Sequence, residues 1–116
     1  MSVVNVRDLR PGMSRVNVEV TVMKAFQPRT VITRDGRRVT LAEFEVSDDT
    51  GSIILTLWGD DINLVKQGDT VRIRNGYVTS FRGEPRLNIG RYGKIEQLTG
   101  TSEVSGTKSR KRRTAG

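Results

Sequence analysis

Hydrophobic and polar positions alternate with a period of two along most of the first 98 residues, which is typical of half-buried β-strands. In the clearest run, RVNVEVTVMKAF at residues 15–26, four valines alternate with other side chains. VTLAEFEV (39–46) and SIILTLWG (52–59) predict a second and a third strand. DTVRIRNGYVTSF (69–81) and RLNIGRYGKIEQL (86–98) predict a fourth and a fifth.

The segments between these runs carry turn and helix-cap residues. An Asp-Gly pair and the sequence RGEP mark turns inside the first and last hairpins. Residues 60–68 are too few for a stable free helix, but Asp60 or Asp61 can cap one helical turn packed by Ile62 and Val65. A five-stranded Greek-key OB-fold barrel has a short helical turn between strands three and four. An SH3-like barrel or a small open sheet shares the strand count, but the position of the helical turn favours the OB-fold.

A break in the alternation of the fourth run determines which of its rings face outward. Strict alternation would turn Val78 to solvent and Tyr77 and Phe81 into the core. One inserted residue at Asn75-Gly76 would reverse the parity, and glycine permits such a bulge. We therefore predict that Val78 is buried and that both rings face outward.

The single tryptophan, Trp58, falls on the face of the third run opposite the apolar Ile53, Leu55 and Leu57. A tryptophan at the end of a strand can also cap a barrel, and this strand alone leaves both interpretations open. With the bulge, we expect Trp58, Tyr77 and Phe81 to line adjacent strands on one open face. Exposed rings bind single-stranded nucleic acid by stacking on bases of any identity, at roughly 1–3 kcal/mol per base.

The composition excludes most enzyme mechanisms. The chain has 116 residues and a net charge of +7, with no Cys for disulfides or thiolate metal sites and no His as a general base. SDDTGS contains the Asp-Thr-Gly sequence of aspartic proteases, but Asp49 follows polar residues rather than a burying apolar strand. A tight turn with Asx-type bonding and Gly51 in the left-handed conformation explains the segment better. We expect no catalysis, no cofactor and no metal.

Arginines beside the aromatic face are candidate phosphate contacts, with solvated loop tips as the alternative interpretation for those in turns. The six candidates are Arg37, Arg38, Arg72, Arg74, Arg82 and Arg86. Residues 99–116 carry five Lys or Arg and one Glu with almost no apolar content, which predicts a disordered basic tail after a domain at 1–98. The KSRKRR sequence in that tail adds phosphate attraction or forms a nuclear-localisation-like run.

Three segments carry a resemblance to a known family: VRDLRPGMSRVNV, DDTGSIILTLWGD and NGYVTSFRGEPRLNIGR. They closely resemble the archaeal single-OB-fold single-stranded DNA-binding proteins, and are similar to the OB subunit of the human sensor-of-ssDNA complex. The resemblance covers roughly residues 4–98. It implies stacking on Trp58, Tyr77 and Phe81. Some relatives carry an aromatic residue where this chain has Asn88, so a fourth stacking contact is not implied.

The resemblance also implies a protein of DNA repair, replication or recombination that coats single strands without catalysis. The expected partners are single-stranded DNA, with RNA as an alternative, and repair or replication proteins, but no membrane and no small-molecule substrate. We expect an intracellular protein, cytoplasmic and nucleoid-associated in an archaeon or nuclear in a eukaryote. The rival hypothesis is an OB module that holds a protein partner on its exposed rings.

Overall fold

The computed structural model describes residues 3–98, which form six strands and two short 3₁₀ segments. The strands are β1 (Val16–Ala25), β2 (Arg29–Ile32), β3 (Arg38–Asp48), β4 (Gly51–Trp58), β5 (Thr70–Phe81) and β6 (Glu84–Gln97). A 3₁₀ turn at Val6–Asp8 precedes β1, and a 3₁₀ helix at Gly59–Leu64 connects β4 to β5. The predicted basic tail at 99–116 lies outside the described residues.

Five of the strands close into a barrel in the order β1-β5-β6-β4-β3, because β3 also pairs back onto β1. The β4–β6 pairing is parallel and the others are antiparallel. This is the predicted OB-fold, with the 3₁₀ helix between the third and fourth barrel strands. The short β2, not predicted from the sequence, adds a sixth strand to β3 outside the barrel. Three of its four residues are exposed, and four residues are too few to show an alternating pattern.

The inward side chains of the barrel strands form one apolar core. Every second residue of β1 from Val16 to Val22 is buried, as the alternation predicted. Apolar side chains of the other barrel strands are also buried: Ala42, Phe44, Val46, Ile53, Leu55, Leu57, Val71, Ile73 and Val78. The barrel is therefore filled with side chains, and any ligand site must lie on its outer surface.

The acidic turn between β3 and β4 is held by hydrogen bonds to the side chain of Asp48. Oδ1 of Asp48 accepts hydrogen bonds from the backbone N–H of Thr50 at 2.7 Å and of Gly51 at 3.2 Å. Its Oδ2 accepts one from the N–H of Val6 at 2.9 Å, which ties the N-terminal 3₁₀ turn to the barrel. The predicted Asx-type turn is confirmed, with Asp49 exposed in the turn. The prediction of a left-handed conformation at Gly51 was wrong, because this residue is already part of β4 and pairs with Asp48 of β3.

The connection after β4 packs as predicted but begins differently. Ile62 packs against the core and Val65 is buried. The predicted cap by Asp60 or Asp61 was wrong, because Trp58 holds the N-cap position and no side-chain cap bond forms. Both aspartates lie inside the first turn instead.

Within residues 3–98, the chain has no helix of the length and apolarity needed to cross a bilayer. The same residues contain no group of three or more side chains arranged to hold a metal ion.

Candidate nucleic-acid interface

A bulge in β5 sets the direction of the side chains that follow it. Against β1, Val18 pairs with Ile73 but Val16 pairs with Gly76, so β5 carries one extra residue there. Beyond the bulge, Val78 is buried and Tyr77 is exposed. The predicted reversal of parity is confirmed.

The strained residue of the bulge is Asn75 rather than the glycine. Asn75 has a φ of 58°, in the left-handed region that asparagine tolerates better than most residues. Gly76 is needed for a different reason, because a Cβ at this position would lie 3.0 Å from the backbone oxygen of Asn88. The bulge lies at Asn75-Gly76 as predicted, with the positive φ on Asn75 and the close approach of the backbone at Gly76.

The register shift between β5 and β6 is larger than the shift between β5 and β1. Arg74 pairs with Lys94, whereas Gly76 pairs with Ile89. Residues 90–93 of β6 therefore face a single residue of β5, and this part of the strand projects from the barrel.

The three predicted stacking rings all reach solvent. Trp58 is 44% exposed, Tyr77 38% and Phe81 48%, so none is sealed in the core. Trp58 ends β4, and the other two lie on β5. The expectation that they line adjacent strands was wrong, because β6 separates β4 from β5. This order places side chains of β6 between the rings, where they form the floor of a groove.

That groove is a cavity of about 290 Å³ on the outer face of the barrel. Its lining includes Trp58 and Leu41 from β4 and β3, which are direct neighbours in the register, and Phe81 and Thr79 from β5. Tyr77 does not line this cavity. Its ring lies over the backbone of β6, where a Cβ on Gly90 would be 3.6 Å from the ring. Two rings therefore flank the groove, and the third lies beyond it along β5.

The floor of the groove is polar and nearly closed to solvent. Thr56 is 9% exposed and Asn88 is 8% exposed, and the two are paired neighbours on β4 and β6. The side-chain N–H groups of Asn88 donate to the Thr79 hydroxyl at 3.0 Å and to the carbonyl of Arg86 at 3.1 Å. Asn88 therefore supports the groove from below and offers no stacking surface.

A carboxylate that the sequence did not reveal lies in the same groove. Glu43 accepts hydrogen bonds from Arg86 and, at 3.2 Å, from Arg29. Nε of Arg86 is buried and has no hydrogen-bond partner among the described residues. Glu43 and Arg29 could have been found only by knowing that β3 and β2 continue the groove beyond β4. Their positions in the alternation show which side they face, but not which strands lie beside them.

Two of the predicted phosphate contacts lie against the Phe81 ring. The guanidinium carbons of Arg82 and Arg86 are 5.2 Å and 5.0 Å from the centroid of the Phe81 ring, within cation–π distance. Arg82 is held at the β5–β6 turn with a φ of 52°. Two cations therefore lie beside one of the three predicted stacking rings.

The predicted contacts at the first hairpin are arranged differently. Arg37 donates to Asp35 at 3.0 Å within the loop, and Arg38 is exposed at the start of β3. Neither residue lines the groove.

Arg72 and Arg74 lie near the other end of β5. Arg72 pairs with Glu19 at 2.6 Å, and Arg74 pairs with Glu96 at 3.0 Å. Both line a separate depression of about 150 Å³ beside Val3. The structure therefore does not bring these two arginines into the groove that the rings flank.

Comparison with known proteins identifies relatives of this chain. The chain is 41% identical over 94 residues to the single-stranded DNA binding protein Ssb of Saccharolobus solfataricus, covering 81% of this chain and 63% of that protein. It thus spans less than two thirds of that relative's length.

Similar solved structures include the second OB-fold domain of replication protein A from Methanococcus maripaludis, with 25% identity and a TM-score of 0.71. That match covers 88% of this chain and 100% of the domain. The replication factor A related protein of Methanobacterium thermoautotrophicum is 30% identical with a TM-score of 0.69, covering 84% of this chain and 91% of that one. Residues 9–97 match the family described as single-stranded DNA binding protein Ssb-like, OB fold, and the chain belongs to that family.

Proposed function

We propose that this protein binds single-stranded DNA with little sequence preference and catalyses no reaction. Bases stack on Trp58, Tyr77 and Phe81, and arginines pair with the phosphates. Repair, replication or recombination of DNA is the process that such coating serves. Base identity matters little because every base has a π-face that a ring can cover.

The groove between Trp58 and Phe81 is the observation that carries this proposal. Its rings are 44% and 48% exposed, which leaves roughly half of each side chain free for contact. A duplex hides its base faces inside the stack, so stacking on these rings selects single strands. Each ring is expected to contribute about 1–3 kcal/mol per base.

The arginines divide into groups by their surroundings. Arg82 and Arg86 lie against the Phe81 ring and are the strongest candidates for phosphate contact. Arg37 and Arg38 lie at the first hairpin and would meet a strand that leaves the groove on that side.

Two further arginines, Arg72 and Arg74, would meet DNA only on a path that continues beyond the groove. Each is already paired with a carboxylate, Glu19 or Glu96. A phosphate would therefore have to compete with an existing ion pair at each of them, and we rank them below Arg82 and Arg86.

A titration of labelled oligo(dT) followed by fluorescence polarisation tests the proposal. We expect the protein to bind oligo(dT). The logarithm of the association constant should fall with the logarithm of salt concentration at a slope of roughly −2 to −4, as for a few phosphates on a single strand. An equal-length RNA and a duplex serve as comparison ligands. Failure to bind any single strand would favour a protein partner on the same rings, and equal binding of the duplex would contradict stacking.

A further inference from the structure

An exposed aromatic residue projects from β6 outside the groove. Tyr92 is 76% exposed, more than any other large apolar side chain among the described residues. It belongs to residues 90–93, which face a single residue of β5. The guanidinium carbon of Arg91 lies 5.8 Å from the centroid of the Tyr92 ring. A ring with a cation beside it repeats the combination found at Phe81.

The projecting segment is packed against β5 at both ends. A Cβ on Gly93 would lie 2.7 Å from the Ile89 side chain and 3.1 Å from the backbone oxygen of Arg74, so only glycine fits without a shift. At the other end, Gly90 lies directly under the Tyr77 ring. The barrel therefore holds Tyr92 in place near Tyr77.

The position of Tyr92 follows from its distance along the chain to Gly90. A Cβ on Gly90 would lie 3.6 Å from the Tyr77 ring. Two residues of extended chain span at most about 7 Å, so the backbone of Tyr92 lies close to the Tyr77 ring. Arg91 and Tyr92 are both exposed in this segment, so neither side chain turns into the core. Tyr92 is therefore a solvent-exposed ring within reach of a strand that passes Tyr77.

We propose that Tyr92 is a fourth stacking residue, which extends the path of the single strand past Tyr77 with Arg91 pairing a phosphate. This inference rests on the proposed function and deepens it. The groove holds the first nucleotides between Trp58 and Phe81, and only a longer strand reaches the projection. The ring is highly exposed and has little other contact, so its loss has little effect on folding.

The test compares oligo(dT) of about 4 nucleotides, which fills the groove region, with oligo(dT) of about 10 nucleotides, which reaches further. We expect Tyr92→Ala to weaken binding of the long strand about 5- to 10-fold and to leave the short strand unchanged. Tyr92→Phe keeps the ring and should restore binding of the long strand. Tyr92→Leu keeps an apolar side chain without an aromatic face and should not.

The outcomes separate this inference from the proposed function. If the wild-type protein binds neither strand, the proposed function fails. If the wild-type protein binds both strands and Tyr92→Ala binds them equally well, the proposed function stands and the role of Tyr92 is wrong. Equal weakening of both lengths would also overturn the inference, because it would place Tyr92 within the short binding path.

Discussion

Replacing Phe81 by alanine tests the stacking surface without losing the fluorescent reporter. Trp58 is the only tryptophan in the chain, so its quenching by oligo(dT) reports on binding in the Phe81 variant as in the wild type. The Phe81 ring is 48% exposed, so about half of it is available to a base. We take the middle of the range for one stacked base, about 2 kcal/mol, which corresponds to about 30-fold weaker binding.

The same substitution has a limited effect on folding. The half of the ring that is buried corresponds to about 100 Å² of apolar surface, so we expect a loss of about 2 kcal/mol in the free energy of unfolding. Thermal denaturation measures this loss separately from binding. Arg82 and Arg86 lose their ring contact, but their charges remain.

Two matched substitutions isolate the aromatic face. Phe81→Tyr keeps the ring and should bind oligo(dT) like the wild type. Phe81→Leu keeps an apolar side chain of similar size and should bind nearly as weakly as Phe81→Ala. If the folded Phe81→Ala protein binds oligo(dT) with unchanged affinity, the assignment of this ring to base stacking is wrong.

Three further substitutions test other parts of the interface and the fold. Trp58→Ala should weaken binding by about 1–3 kcal/mol in polarisation titrations and stay folded. Glu43→Gln removes a negative charge from the groove, so binding of oligo(dT) should tighten a few-fold and the salt slope should steepen by about one. The same substitution should lower the free energy of unfolding by about 1–2 kcal/mol, because Glu43 loses its charge in the ion pairs. Asp48→Asn should lower the melting temperature at neutral pH, because the carboxylate accepts hydrogen bonds from Val6 and Thr50.

The pH dependence of the Asp48 variant follows from the sign of its pKa shift. Burial alone would raise the pKa of Asp48. The Thr50 hydroxyl and backbone N–H groups, including that of Val6, outweigh burial and hold the pKa below its ordinary value of 3.8. The carboxylate therefore stabilises the fold above about pH 4, and this contribution is lost as the pH falls through the lowered pKa. The difference in melting temperature between wild type and Asp48→Asn should shrink at low pH, as thermal denaturation at pH 7 and pH 3 would measure.

For each of these three substitutions, one result would contradict the prediction. An unfolded Trp58→Ala protein would make the indole a cap of the barrel rather than a binding residue. Weaker binding by Glu43→Gln would mean that the carboxylate holds Arg86 in position for DNA. A difference in melting temperature that does not change with pH would show that the ionised carboxylate of Asp48 does not stabilise the fold.

The strands and the core could be predicted because their signals are local. The valines of β1 alternate within ten residues, and Val78 signalled the bulge because strict alternation would have exposed it. The conformation of the bulge was harder. The sequence located the bulge at Asn75-Gly76, but it did not show that the positive φ would fall on Asn75 or that the glycine would be needed for the close approach of β6.

The arrangement of the groove could not be predicted because it depends on pairing between distant segments. Ile54 of β4 pairs with Arg86 of β6, and no local pattern shows that β6 inserts between β4 and β5. For the same reason, the ion pairs of Glu43 with Arg86 and of Glu19 with Arg72 were invisible in the sequence.

The most direct test of the account compares oligo(dT) with a strand of equal length and charge whose sugars carry no bases. Stacking on Trp58, Tyr77 and Phe81 predicts that removing the bases weakens binding by about 100-fold or more, while the salt slope stays the same because the phosphates are unchanged. Equal affinity for the two strands would show that the rings contribute nothing and that the arginines alone hold the strand.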